Sequence, residues 1–206
     1  MAKIDLKKEM KHLYRPSKAK FTIVDVPEMN FLMIDGHGDP NTSPEYQAAV
    51  EALYGVAYTV KFMLKENPET DDYVVPPLEG LWWVEDMQQF SMDDKDAWSW
   101  TMMIVQPAWV TPDLVEEARA EAGRKKDLPA LPGLRFAPYH EGLSVQILYL
   151  GPYDEEGPTI ARMHAFAEEQ GYALRGKHHE IYLSDPRRTA PERLKTIIRQ
   201  PITKPD

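Results

Sequence analysis

Glu180 stands at the head of a short apolar run near the end of the chain, directly after two histidines. The run from Ile181 to Leu183 favours an extended strand. Neighbouring side chains of a strand point to opposite faces, so Glu180 shares a face with His178 and Tyr182. If Ile181 and Leu183 face a helix layer, Glu180 faces the other side of the sheet. A carboxylate there can act as a general base or hold an organic cation, although the strand alone favours an ordinary solvated face.

The tryptophans of the chain all lie between residues 82 and 109 and could supply the walls of a ligand site. Trp82 and Trp83 are neighbours on one predicted strand and point to opposite faces, whereas Trp98 and Trp100 share one face of the next strand. Filling a core does not require large rings on both faces. We therefore expect a flat aromatic slot on the face away from the helices, walled by Trp83, Trp100 and Trp109. The alternative is core aromatics together with a dimer patch.

Glu79 is a candidate second acid because the sequence repeats itself. Two pairs of segments share the same order of residue types: 78–83 (LEGLWW) with 179–183 (HEIYL), and 31–40 (FLMIDGHGDP) with 146–154 (QILYLGPYD). In this repeat Glu79 takes the position of Glu180. It is followed by Gly80, which lets a backbone or a ligand approach closely. A pocket between two related modules is a common place for a ligand.

The elements that must position these residues alternate between strand and helix patterns. Strand formers cluster over residues 21–26, 30–34, 78–85, 97–106, 143–150, 179–183 and 197–202. Helical patterns cover residues 44–67, 111–126 and 158–170, and a capping box predicts a short helix from residue 191. The first of these helices has Ser43 as its N-cap, and apolar residues recur at three- and four-residue steps from Tyr46 to Leu64.

The order strand–helix–strand–strand occurs twice, which predicts an α+β fold. We expect two βαββ modules, over about residues 18–110 and 135–206, within a single domain that spans residues 1–206. A helix and a proline-rich linker at about residues 111–134 join the modules.

Composition excludes several classes of partner and cofactor. The formal charge of −9 argues against nucleic acid, whose binding rests on clustered Lys and Arg, and suits cationic ligands. The chain has no cysteine, its six histidines lack the spacing of metal ligands, and no phosphate loop occurs, so we expect no metal and no cofactor. No apolar run is long enough to span a bilayer, and no secretory signal is evident. We expect a cytoplasmic protein, monomeric or homodimeric, without a membrane partner.

Several stretches resemble the GyrI-like small-molecule-binding proteins, in particular the stand-alone branch of that family. They are residues 78–83 (LEGLWW), 106–111 (QPAWVT), 150–154 (LGPYD), 178–188 (HHEIYLSDPRR) and 191–197 (PERLKTI). The resemblance implies two βαββ modules in a pseudo-twofold arrangement, with an antiparallel sheet and a central aromatic cleft. In related multidrug-sensing regulators this domain holds cationic, planar drugs with a buried glutamate, which by motif falls on Glu180.

The stand-alone branch includes hydrolases that open the cyclopropane of yatakemycin-type DNA alkylators, which implies a detoxifying, cofactor-free hydrolase of bulky planar electrophiles. Glu180 would then be the general base that orients water, with Tyr182 or Tyr153 as a hydrogen-bond donor. Glu79 and His178 complete the expected ligand-binding set. Two other functions stay open: a protein that sequesters or senses amphiphilic cations without turnover, and a homodimeric module whose exposed tryptophans form the interface.

Overall fold

The computed structural model describes residues 3–67, 70–87 and 94–205 and has a mixed α+β architecture, as the sequence predicts. In chain order the elements are α1 (Leu6–Glu9), α2 (Lys11–Tyr14), β1 (Thr22–His37), α3 (Pro44–Glu66), β2 (Glu79–Trp83), β3 (Ser99–Gln106), α4 (Pro112–Lys125), β4 (Arg135–Leu150), α5 (Gly157–Glu169), β5 (Ala173–Leu174), β6 (His178–Tyr182) and β7 (Lys195–Thr203). The order strand–helix–strand–strand therefore occurs twice, in β1-α3-β2-β3 and in β4-α5-β6-β7, with the short β5 inserted in the second half.

Local differences from the predicted elements have simple causes. The two short strands expected over 21–34 are a single strand, β1, because Pro27 lies within it without breaking it. The capping box expected before residue 191 forms only a 3-10 turn, Pro191–Arg193. The amphipathic helix α3 begins as predicted, since the Ser43 hydroxyl accepts a hydrogen bond from the backbone N–H of Tyr46.

The long strands of the described chain close into a ring. Antiparallel pairing gives the order β4-β1-β3-β2-β6-β7, and β4 also pairs with β7. The small β5 adds to β7 at its end. The β2–β6 seam is short, from Glu79 opposite Ile181 to Trp82 opposite His178, whereas the β1–β4 seam extends from Thr22 to Met33. Both seams join the first half of the chain to the second.

The interior of the ring is an apolar cluster with side chains from every ring strand. It contains Val26, Phe31, Met33, Leu81, Met103, Val105, Ile181 and Ile197, with Tyr139 and Leu148 of β4 packed against it. Leu13 and Tyr14 of α2 belong to the same cluster, so the N-terminal helices pack into the interior. Burial of this apolar surface is the main force that holds the ring around its contents.

The outer face of the ring carries the longer helices. Leu53, Val56 and Val60 of α3 pack in one core cluster with residues of β1, β3 and α4. Ile160 and Met163 of α5 pack in another with residues of β4 and β7. In the ring order, β2 and β6 therefore lie between the strands that carry α3 and those that carry α5. Within the described residues, no helix is both long and apolar enough to cross a membrane.

Candidate functional site

Glu180 lies at the middle of the β2–β6 seam, directly opposite Gly80. It faces the outer side of the ring, where α3 and α5 lie, because the interior takes Ile181 instead. This orientation is the reverse of the one expected from the sequence. The carboxylate is 7% exposed; its Oε2 accepts a hydrogen bond from the Tyr182 hydroxyl at 2.8 Å, and its Oε1 lies 3.2 Å from His178 Nε2. The side chains of this strand face are therefore grouped as the period of a strand predicts.

Aromatic rings from several elements surround Glu180. Trp82 Nε1 donates to the Tyr182 hydroxyl at 3.0 Å, and Tyr182 donates to Glu180 in turn. Tyr46 of α3 stacks on Trp82, with ring centroids 6.1 Å apart and planes inclined by 28°. Tyr153, in the 3-10 turn Tyr153–Glu155, meets Tyr182 edge to face at 5.6 Å. We call Tyr46, Trp82, Tyr153 and Tyr182 the aromatic box.

The tyrosines of the box remain neutral hydrogen-bonding groups. Burial, followed by the charge of Glu180, raises the pKa of both Tyr182 and Tyr46 above its ordinary value. Burial and the charges of Glu156 and Glu180 raise the pKa of Tyr153 to about 12. The box therefore presents faces rich in π electrons and phenol O–H groups, which suit planar or cationic molecules.

Gly80 makes room for the box. A Cβ atom at this position would come within 2.8 Å of Trp82 Nε1 and 3.2 Å of the Met102 sulfur. Any larger residue would therefore displace Trp82 from its hydrogen bond with Tyr182. The glycine opposite Glu180 is required by this close approach of an indole ring to the strand.

A second carboxyl group, that of Glu156, lies against Glu180. Glu156 follows the turn that carries Tyr153 and occupies the N-cap position of α5; it is 0% exposed. Among the described residues, neither of its carboxyl oxygens accepts a hydrogen bond of good geometry. Its carboxyl group nevertheless interacts with the carboxyl group of Glu180 and with the hydroxyl group of Thr196. Burial and the neighbouring charge of Glu180 raise the pKa of Glu156. Glu156 therefore stays protonated near neutral pH, because its ionised form would be buried and repelled by Glu180.

The aromatic box is closed in this structure. Its rings touch one another, and Glu180 and Glu156 lie beneath them almost without exposure. A groove of about 480 Å³ begins where β6 ends, lined by Leu183, Ser184 and Lys195 among others. A bulky molecule could therefore reach the carboxyl pair only if Tyr46 and Trp82 moved apart from Tyr153 and Tyr182.

Glu79 does not join this site. The seam pairs Gly80, not Glu79, with Glu180, so the two acids point to opposite faces of the sheet and do not share a site as the repeat predicted. Glu79 points into the ring, where it accepts a hydrogen bond from the Tyr14 hydroxyl at 2.9 Å and lies 3.0 Å from His179 Nε2. Successive side chains of a strand point to opposite faces, so a shift of one residue moves an acid to the other face.

The predicted tryptophan walls lie elsewhere. Trp83 packs against the ring interior, with Lys177 Nζ 3.2 Å from the centre of its ring. Trp100 is 1% exposed and belongs to the core under α3, where its ring meets Tyr46 edge to face at 5.4 Å. Trp109 is 36% exposed and follows the end of β3, ahead of α4. Trp82 takes the place expected for Trp83 because it is the outward-facing member of the adjacent pair.

The ring interior contains a buried group of charges, Glu79, Glu141, His179 and Arg199, which we call the interior ion cluster. His179 Nδ1 lies 2.9 Å from Glu141 Oε1, and its Nε2 lies 3.0 Å from Glu79 Oε2. Arg199 donates from Nη1 to Glu141 Oε2 at 3.1 Å and from Nη2 to the Leu13 carbonyl oxygen at 2.8 Å. The positive and negative charges match, so the cluster is neutral as a whole and anchors the N-terminal helices.

The charges of the cluster change the proton affinities of its members. Burial alone lowers the pKa of His179, but Glu141 and Glu79 outweigh it and raise the value to about 9. Burial alone raises the pKa of Glu141, but His179 and Arg199 outweigh it and lower the value to about 2. Both groups are therefore charged at neutral pH. Within the described residues, no group of three or more His, Asp or Glu side chains is arranged to hold a metal ion.

Sequence reasoning missed Tyr46, Trp82 and Glu156. The apolar period of α3 places Tyr46 on the core-facing side of the helix, and its position just after the N-cap, beside the strand layer, is the signal that could have marked it. Trp82 could not be distinguished from Trp83 without knowing which strand face the helices cover. Glu156 precedes a Gly-Pro helix start, and an acid at an N-cap is usually explained by the helix dipole alone.

Residues 19–203 match the family model described as the GyrI-like small molecule binding domain. The chain belongs to the GyrI-like family. An uncharacterized conserved protein from Listeria innocua is 45% identical and superposes with a TM-score of 0.90, over 98% of this chain and 100% of that chain. A hydrolase from Listeria innocua is 43% identical, with a TM-score of 0.86 over the same shares of the two chains.

A more distant solved structure supports the fold alone. The C-terminal domain of EcmrR is 13% identical, with a TM-score of 0.55 over 90% of this chain and 98% of that chain. A comparison with curated proteins gave no match. The family resemblance inferred from the sequence is thus confirmed, and with it small-molecule binding as the property that defines the domain.

Proposed function

We propose that the protein binds bulky planar small molecules in the aromatic box and hydrolyses those that are electrophilic. The observation that carries this proposal is the contact of Glu156 with Glu180 beneath the box. Glu180 accepts a hydrogen bond from Tyr182, and burial together with the charge of Glu180 raises the pKa of Glu156, so that Glu156 holds the proton. A base and an acid side by side in apolar surroundings suit a reaction in which water loses a proton while another atom gains one.

An activated cyclopropane, polarised by a conjugated carbonyl group, is the substrate class that fits this pair. Glu180 removes a proton from water as the water oxygen bonds to the ring methylene carbon. The strained C–C bond breaks, its electron pair moves into the conjugated system, and the carbonyl oxygen takes the proton from Glu156. The carboxyl groups then exchange the proton through their contact, which restores the starting state. The planar remainder of the substrate stacks on Trp82 and Tyr46.

The similar Listeria innocua protein that is described as a hydrolase supports a catalytic reading of the same fold. Tyr182 would keep the Glu180 carboxylate in place through its 2.8 Å hydrogen bond, and Trp82 would fix Tyr182. Such a chain of donors orients a general base without any metal or cofactor.

Product formation tests the proposal. Substoichiometric protein is incubated with a cyclopropane-bearing alkylator, and the ring-opened product is followed by mass spectrometry. We expect Glu180→Gln to lower the rate about 100-fold or more, because an amide cannot accept the proton of water. Glu169→Gln, an exposed change of the same type on α5, serves as the matched control and should keep the wild-type rate. Product no greater than in buffer, or an unchanged rate in Glu180→Gln, contradicts the hydrolase.

A second function, binding of organic cations without turnover, is favoured by the position of Glu180 within the aromatic box. A carboxylate enclosed by aromatic faces offers both charge and cation–π attraction. Quenching of tryptophan fluorescence by matched cationic and neutral planar dyes tests it. Stronger binding of the cation, lost in Glu180→Gln, supports a counter-ion role; equal binding of both dyes contradicts it.

A further inference from the structure

We propose that an organic cation bound in the aromatic box displaces the proton shared by Glu156 and Glu180, so that binding releases a proton to solvent. This inference rests on the small-molecule binding proposed above and deepens it. The aromatic box then exchanges a cation for a proton, and the charge of the ligand decides whether the Glu156–Glu180 pair is protonated.

The surroundings of Glu156 favour a proton on its carboxyl group. Its carboxyl is completely buried and, within the described chain, receives no hydrogen bond of good geometry from a donor. When both groups are ionised, the contact between the Glu156 and Glu180 carboxyl groups brings two hydrogen-bond acceptors together without a donor. One proton turns this contact into a hydrogen bond and removes the repulsion. The raised pKa of Glu156, due first to burial and then to Glu180, agrees with this state.

The groups that face the pair from each packed element leave room for an added positive charge. They are Tyr46 of α3, Tyr149 of β4, Tyr153 of the 3-10 turn, His178 and Tyr182 of β6, Thr196 of β7 and Lys95 of the turn before β3. Asp185, after β6, acts on Tyr153. The tyrosines stay neutral because their pKa values are raised. Lys95 acts on Glu156 more weakly than Glu180 does, and its amine lies over the Trp98 ring, 5.7 Å from the centre.

A cation in the box changes this balance. Its charge lies close to both carboxyl groups in surroundings of low polarity, where attraction between opposite charges is strong. With the cation present, the state in which both carboxyl groups are ionised is more favourable than the state in which only one is, and the shared proton leaves. A neutral planar ligand supplies no such charge, so it binds to the protonated pair and releases nothing. His178 is the other group near Glu180 that could lose a proton, and variants separate the two sources.

Calorimetry of the whole protein with ethidium, a permanent planar cation, and Nile red, a neutral planar dye, tests the proposal. Titrations at the same pH in phosphate and in Tris differ in heat in proportion to the number of protons released, because the two buffers have different enthalpies of ionisation. We expect roughly one proton for each ethidium bound at pH 7, and an ethidium affinity that rises up to about tenfold for each pH unit. For Nile red we expect equal heats in both buffers. Equal ethidium heats in both buffers overturn the inference but leave binding in the cleft intact.

Substitutions locate the proton. Glu156→Gln keeps the shape and the hydrogen bond to Glu180 but has no proton to lose, so ethidium should bind without proton release and with little dependence on pH. Glu155→Gln, its exposed neighbour, should release the proton as the wild type does. Release that persists in His178→Gln supports the carboxyl pair as the source, whereas its loss there assigns the proton to His178 and overturns the inference. Failure of both dyes to bind contradicts the proposed function itself, and the inference falls with it.

Discussion

Deprotonation of His179 will weaken the fold at alkaline pH, because the interior ion cluster depends on its charge. The pKa of His179 is raised from an ordinary value of 6.5 to about 9 by Glu141 and Glu79. The resulting stabilisation is fully present below pH 6.5 and is lost as the pH rises through 9. At about 1.4 kcal/mol for each pH unit, the difference corresponds to a loss of ~3 kcal/mol from the free energy of unfolding. Since His179 is buried, solvent screens this contribution little.

Urea denaturation at several pH values between 6 and 10 measures the effect. The wild type should lose ~3 kcal/mol more stability across this range than His179→Gln, whose side chain cannot titrate. His140→Gln changes an exposed histidine on β4 and should keep the wild-type slope. If His179→Gln folds poorly, Glu79→Gln provides a second variant, in which one of the two carboxylates that raise the pKa of His179 is neutral and the slope is smaller. Equal slopes in the wild type and His179→Gln would refute the reasoning.

Two further predictions concern the packing around the box. Gly36→Ala should lower the free energy of unfolding by about 3 kcal/mol in urea denaturation, because its Cβ would lie 2.1 Å from the buried Trp100 ring. Gly157→Ala, where a Cβ meets nothing within 4 Å, should stay within about 0.5 kcal/mol of the wild type; equal effects at the two glycines would contradict the close contact. Tyr182→Phe should cost about 1–3 kcal/mol, because Trp82 Nε1 loses its acceptor in a buried place. If Tyr182→Phe leaves the free energy of unfolding unchanged in the same assay, this hydrogen bond is not formed.

Local pattern accounts for what the sequence predicted well. The period of an α-helix and the Ser43 cap predicted α3 within a few residues of its bounds. The period of a strand grouped Glu180 with His178 and Tyr182, and the hydrogen bonds confirm this grouping. These features depend only on residues close together in the chain, so a single sequence contains enough information to predict them.

Features that depend on distant pairing were not predictable in the same way. Both faces of β6 are covered, one by the ring interior and the other by the helix side, so an apolar Ile181 did not reveal which face is which. The register of the β2–β6 seam decides that Gly80 rather than Glu79 faces Glu180, and one residue of slip reverses every side chain. The contact of Glu156 with Glu180 joins a helix start to a strand that follows it at a distance.

Closure of the ring also decides what each half of the chain could do alone. Strands β1, β3 and β2 form a sheet whose outer members, β1 and β2, receive their partners β4 and β6 from the second half. An isolated half would expose the unpaired N–H and C=O groups of two strand edges, and such edges are templates for aggregation. Covalent linkage supplies each half with its complement at a high effective concentration. Each half of the chain therefore supplies the strands that cover the edges of the other half.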